Sequence, residues 1–176
     1  AMKEAGAEPE LIQVGNEITF GMLWPMARVG SSKHNHWAQL ALLLKQGVRA
    51  CREVCPEAKI ILHTERAYDR TTTFRFYDKM KELGVEYDII GLSYYPIWHK
   101  SVPFFGESLD LIAQRYPDKP VMVVETAAYY SHENDRWCAD PNKYGDIYPI
   151  SVEGQRRFAE ELVSELKRHP NVTGLY

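Results

Sequence analysis

The sequence predicts an α/β chain, the C-terminal portion of a (β/α)8 barrel covering about strands four to eight. Three observations predict it. Short apolar runs alternate with segments of helical periodicity, which implies a mostly parallel sheet joined by right-handed crossovers. Those runs lack clean polar alternation, as strands covered on both faces do. Finally, Asn16-Glu17, His63-Thr64, Ser93-Tyr94-Tyr95 and Glu125-Thr126 each stand at the C-terminal end of a predicted strand. That end carries the active site in barrel enzymes, so the third observation favours a barrel over an open doubly wound sheet. A complete barrel takes about 250 residues, and this chain has 176. It reads as four βα units and the start of a fifth. The expectation is therefore one partial catalytic domain over residues 1–176, with three units upstream and the end of the eighth downstream in a longer protein.

The elements follow in order. A turn from Gly6 to Pro9 leads into the first strand, Leu11 to Val14. A loop holding Gly21, Pro25 and Gly30 comes next. Trp37, Leu40, Ala41, Leu44, Val48 and Cys51 then recur at helical spacing until Pro56. Lys59 to His63 is the second strand. Thr71 to Leu83 is a helix with Phe74, Tyr77, Met80 and Leu83 as its apolar stripe, stopped at Gly84. Tyr87 to Ser93 is the third strand, Ser108 to Tyr116 a short helix ended by Pro117, and Val121 to Val124 the fourth strand. A polar and aromatic loop runs to about Pro149. Val152 to Arg168 is a helix with Phe158, Leu162, Val163 and Leu166 inward, and Val172 to Tyr176 is the fifth strand.

Composition excludes several function classes. The formal charge is −3 with acids and bases interspersed, so the basic patch that nucleic acid or an anionic membrane requires is missing. No apolar run approaches the roughly 20 residues of a membrane span. No glycine-rich phosphate loop follows any strand. Three cysteines, Cys51, Cys55 and Cys138, are too few for a disulfide framework and lack the partners of a zinc site. Aromatic residues make up 12% of the chain, many of them in loops. Trp24, Tyr94, Tyr95, Trp98, Trp137 and Tyr144 are placed either to stack on sugar faces or to pack at a rim.

Glycoside cleavage needs an acid for the leaving oxygen and a second carboxylate on the opposite face of the sugar, about 5–5.5 Å away in a retaining enzyme. Strand ends around a barrel mouth can supply such a pair from residues remote in sequence. Glu17 and Glu125 are such a pair. Val121-Met122-Val123-Val124 places Glu125 directly after a buried strand, where a charge requires a partner or a function.

Four ordered segments carry a family resemblance. Gln13-Val14-Gly15-Asn16-Glu17-Ile18, followed by Gly21-Met22-Leu23-Trp24-Pro25, resembles the fourth-strand motif of family 53 glycoside hydrolases, the endo-β-1,4-galactanases. Ile90 to Pro96 is similar to the sixth-strand motif, and Val123-Val124-Glu125-Thr126-Ala127 to the seventh-strand nucleophile motif. Tyr148 to Gln155 resembles the segment leading into the seventh helix. The resemblance implies a retaining endo-β-1,4-galactanase acting on pectic galactan, with Glu17 as acid/base and Glu125 as nucleophile. It implies that Asn16 bonds the sugar 2-hydroxyl and that a sixth-strand tyrosine bonds the nucleophile. Tyr94 and Tyr95 both qualify; alternation lets only one point inward, and Tyr95 is favoured. His63 ends the fifth barrel strand and is a candidate contact to substrate or to the acid/base, or a structural histidine. Trp24 and Trp98 are candidate stacking platforms. The resemblance also implies a secreted, periplasmic or cell-surface location.

Two stretches depart from the family pattern. Some members bind calcium after the seventh strand; Glu133, Asn134, Asp135 and Asp140 offer oxygen ligands in a different arrangement, so no cofactor is expected and calcium is the one candidate. His63-Thr64-Glu65-Arg66 leaves specificity contacts open. The expected partner is a polysaccharide, and the exposed strand edges of a partial barrel favour self-association of the fragment. Competing readings are a β-glycanase acting on another polymer and a non-catalytic carbohydrate-binding barrel.

Overall fold

The computed structural model describes residues 4–131 and 148–176. The chain divides into two compact units, Ala1–Gly91 and Leu92–Tyr176. The first contains β1 (Leu11–Gln13), a 3-10 turn (Ile18–Phe20), a small antiparallel hairpin of β2 (Gly21–Met22) and β3 (Ala27–Arg28), α1 (Trp37–Val54), β4 (Lys59–Thr64) and α2 (Arg70–Glu82). Strand β5 (Ile89–Tyr94) spans the division. The second contains α3 (Pro96–His99), α4 (Val102–Arg115), β6 (Val121–Thr126), α5 (Val152–Leu166) and β7 (Val172–Leu175). Strands β1, β4, β5, β6 and β7 form one sheet in that order, with β1–β4 and β6–β7 paired in parallel. This is the part-barrel that the sequence predicts.

In the first unit, Leu40, Ala41, Leu44 and Val48 of α1 are buried at helical spacing. The helix stops before Pro56, which disfavours helical backbone in the residue preceding it. Asp69 caps α2, its side chain accepting from the Thr72 N–H at 3.1 Å; such caps contribute about 1 kcal/mol. The buried stripe of α2 is Thr73, Phe76, Tyr77 and Met80. Phe76 therefore takes the core position expected of Phe74, because 73, 76, 77 and 80 keep the helical period and 74 lies off that face. The Tyr77 hydroxyl donates to the Leu62 carbonyl at 2.9 Å, fastening α2 to β4. Asp88 accepts from the Ile60 N–H at 2.7 Å and from Arg52 at 2.5 Å, and Arg52 also donates to the Ala58 carbonyl at 2.6 Å. These bonds tie the end of α1 to the start of β4.

The hairpin β2–β3 was not anticipated, since two-residue strands carry no readable periodicity. It closes at Gly21, whose φ is 86° and where a Cβ would lie 1.9 Å from the Ala27 carbonyl oxygen. Both the backbone conformation and the close approach require glycine there.

In the second unit, α4 begins at Val102, six residues before the predicted start. Ser101 caps it by accepting from the Phe104 N–H at 3.4 Å, and Pro103 stands in the first turn, where a missing N–H costs nothing. Helix α5 buries Gly154, Phe158, Leu162 and Leu166. Val163 instead is 38% exposed, lying off the face that the i, i+4 series 158, 162, 166 defines. The Ser151 side chain caps α5, accepting from the Gly154 N–H at 3.0 Å. No described helix is long and apolar enough to cross a membrane.

Candidate active site

In the first unit the site builds from the segment after β1. Gly15 turns the chain (φ 89°) and Asn16 follows, its side-chain oxygen accepting from Gln13 at 3.2 Å. Glu17 then adopts the left-handed conformation, φ 48° and ψ 51°. This region costs an ordinary L-residue roughly 1–2 kcal/mol, so surrounding contacts must hold it. One is His63 of β4: the Glu17 N–H donates to His63 Nδ1 at 3.4 Å. His63 is completely buried. Burial pushes its imidazole below the ordinary value, against the opposing charges of Glu17 and Glu65. A neutral ring accepting at Nδ1 carries its proton on Nε2. Of the three alternatives for His63, substrate, the acid/base residue or a structural role, its complete burial disfavours direct contact with a sugar, and one contact it makes is to the backbone N–H of Glu17.

Trp24 lies on the β2–β3 hairpin and is 55% exposed. Its indole N–H donates to the Phe20 carbonyl at 3.0 Å, and the Arg28 guanidinium sits 4.0 Å from the ring centroid. The ring is thus fixed in orientation while leaving surface for an apolar sugar face.

In the second unit the site builds from β5 and β6. Tyr94, the last residue of β5, is fully buried. Its ring stacks on Phe105 with centroids 4.3 Å apart, and its hydroxyl donates to the Lys100 carbonyl at 3.0 Å. Tyr94 is a core residue, which corrects its candidacy as a sugar contact. Tyr95, pointing the other way along the pleat, donates its hydroxyl to Glu125 Oε2 at 3.0 Å. Glu125 is half-buried near the end of β6. Thr126, next along the strand, faces the opposite side and donates to the Tyr94 carbonyl at 2.6 Å. Trp98, on the one-turn α3, is 42% exposed.

Three residues that the sequence reading did not assign also order these groups. His99, buried at 6% exposure, accepts from the Tyr95 N–H at 3.1 Å, bracing the residue that holds Glu125. Gln155 donates to the Ala128 carbonyl at 2.6 Å, steadying the chain beyond β6. Thr19 donates to Glu65 at 2.7 Å. The one sequence signal for Glu65 was its place directly after a buried strand, where a charge requires a partner. The calcium candidates Glu133, Asn134, Asp135 and Asp140, with Trp137, Tyr144 and Cys138, lie outside the described residues.

The chain is similar to known proteins over nearly its whole length. The family model described as Glycosyl hydrolase family 53 matches residues 1–176. An "Uncharacterized protein in bgaB 5'region" of Niallia circulans is 41% identical over 98% of this chain and 49% of its own length. The "Probable arabinogalactan endo-beta-1,4-galactanase A" of Neosartorya fischeri is 31% identical over 97% of this chain and 48% of its own length. Among solved structures, the "Ignisphaera aggregans GH53 catalytic domain" superposes with a TM-score of 0.86 at 31% identity, covering 99% of this chain and 48% of that one. The chain thus spans about half the length of the curated relatives it matches.

Proposed function

The chain belongs to glycosyl hydrolase family 53, and from that premise we propose that the full-length protein is an endo-β-1,4-galactanase acting on pectic galactan with retention of configuration. The observation that carries the reading is the Tyr95 hydroxyl bonded at 3.0 Å to the half-buried Glu125. It orients one carboxylate oxygen, and on this reading the other is the attacking atom. The curated relative named as a galactanase supports the substrate.

In this mechanism Glu125 attacks the anomeric carbon while the Glu17 carboxyl gives its proton to the departing glycosidic oxygen. The C–O bond breaks and an ester to Glu125 forms. Water, losing its proton to Glu17, then attacks the same carbon and releases Glu125. Asn16 bonds the sugar 2-hydroxyl, an interaction that strengthens as the oxocarbenium-like transition state forms. Trp24 and Trp98 serve as stacking surfaces for neighbouring residues of the polymer. A polymeric substrate fits an enzyme that works outside the cytoplasm, in the medium, the periplasm or at the cell surface.

The test is a panel of galactan, mannan, xylan and glucan incubated with the full-length protein. Galactan is expected to release galacto-oligosaccharides whose new reducing ends begin as the β-anomer by NMR. First appearance of the α-anomer would rule out double displacement. Cleavage of another polymer in preference to galactan would move the assignment to a different β-glycanase, and binding without products would make the protein a carbohydrate-binding barrel.

A further inference from the structure

The residue assigned as acid/base sits in a backbone conformation that its own side chain does not favour, and the turn that follows it is fastened to one carboxylate. Glu17 is left-handed, and the 3-10 turn Ile18–Phe20 follows immediately. Thr19 in that turn is 1% exposed. Its hydroxyl donates to Glu65 Oε2 at 2.7 Å, and the Glu65 N–H donates back to the same hydroxyl at 3.4 Å. The two residues are thereby paired reciprocally, 46 positions apart in sequence. The second oxygen of Glu65, Oε1, accepts from Arg66 Nε at 3.1 Å. Glu65 is itself only 15% exposed. Both of its oxygens are engaged by protein groups, so its carboxylate is a fixed anchor. Arg66 is fixed in turn: it donates to the Tyr68 hydroxyl, and its guanidinium lies 5.1 Å from the Phe20 ring centroid. Phe20 ends the same turn that holds Thr19.

We propose that the Thr19–Glu65 pair is a positioning device for the acid/base, which sets the direction of the Glu17 carboxyl by clamping the turn behind it to the end of β4. Thr19 and Glu65 do not touch the sugar; they act through the backbone of Glu17, alongside the His63 bond to its N–H. The inference rests on the assignment of Glu17 as acid/base. A carboxyl displaced by about 1 Å from the leaving oxygen loses on the order of 100-fold in proton delivery.

The experiment compares two substrates in the full-length enzyme: a galacto-oligosaccharide, whose leaving sugar needs a proton, and a dinitrophenyl galactobioside, whose leaving group does not. Thr19→Val removes the hydroxyl at nearly constant volume. It is expected to lower kcat/KM on the oligosaccharide about 100-fold and on the dinitrophenyl glycoside less than about threefold. Thr19→Ser, which keeps the hydroxyl, is expected to restore most of the oligosaccharide rate. Glu65→Gln, which keeps an acceptor for Thr19 but loses the charge that pairs with Arg66, is expected to fall between the two. Equal losses on both substrates, or an undiminished oligosaccharide rate in Thr19→Val, would overturn the proposal. Should Thr19→Val not fold, the Glu65→Gln ratio of the two substrates decides in the same way. Glu17→Gln, run beside them, separates the two claims. If it keeps the oligosaccharide rate, the acid/base assignment falls and the proposal with it. If it alone shows the leaving-group dependence, only the positioning claim falls.

Discussion

Replacing Glu125 by Gln in the full-length protein is expected to lower kcat on galactan by on the order of 10⁴-fold or more, the scale seen when a covalent nucleophile is removed. That is about 5.5 kcal/mol of transition-state stabilisation. The substitution is chosen because it preserves shape. A Gln carbonyl oxygen can accept from the Tyr95 hydroxyl as the Glu125 carboxylate does at 3.0 Å, so the side chain keeps its seat near the end of β6. What it loses is the negative charge that the proposed double displacement requires to attack the anomeric carbon. Folding should be nearly unaffected, since Glu125 is half-buried and its known partner is retained. Steady-state rates and the thermal midpoint together provide the check. A stable Glu125→Gln protein with galactan activity within tenfold of the parent would remove Glu125 from the mechanism.

Glu17→Gln is expected to act differently, and the difference is diagnostic. General acid catalysis is worth roughly 10²–10⁴-fold, and that loss should appear in kcat/KM on galactan. A dinitrophenyl glycoside forms its glycosyl-enzyme without a proton donor, so its first step should survive. The second step then stalls, because Glu17 no longer deprotonates water. Added azide, which needs no general base, should raise turnover and yield the β-glycosyl azide. Absence of that product, with a normal galactan rate, would show that Glu17 is a surface acid at a turn. The left-handed backbone of Glu17 argues for function, since a strained non-glycine residue persists where its surroundings over-determine it.

Much of the fold was legible because it rests on long apolar runs. The five strands of the sheet were each anticipated within two residues at either end, and α1 at both ends, because burial of Leu40, Leu44 and Val48 repeats over several turns. Shorter features escaped. The β2–β3 hairpin and the one-turn α3 contain too few residues to show a period. The start of α4 was hidden because Gly106 interrupts its apolar pattern, although Ser101 and Pro103 marked the true beginning. In the site, the position of Glu125 followed from the strand that precedes it, whereas alternation along the pleat said only that one of Tyr94 and Tyr95 points inward and did not by itself choose between them. The Thr19–Glu65 pair could not be read, because nothing local in sequence says which of many acids a buried hydroxyl will meet 46 residues away.

Gly21 shows how tightly tolerance can be set by a residue without chemistry. It follows Phe20 directly and closes the C-terminal end of the turn behind Glu17. The obstruction to any side chain there is the main-chain oxygen of Ala27, which has no rotamer to change. A larger residue must open the hairpin and drag the preceding turn with it. A library randomised at position 21 and selected for galactan cleavage should therefore return glycine alone, so the residue proposed as acid catalyst would inherit its permitted sequence space from a neighbour with no side chain of its own.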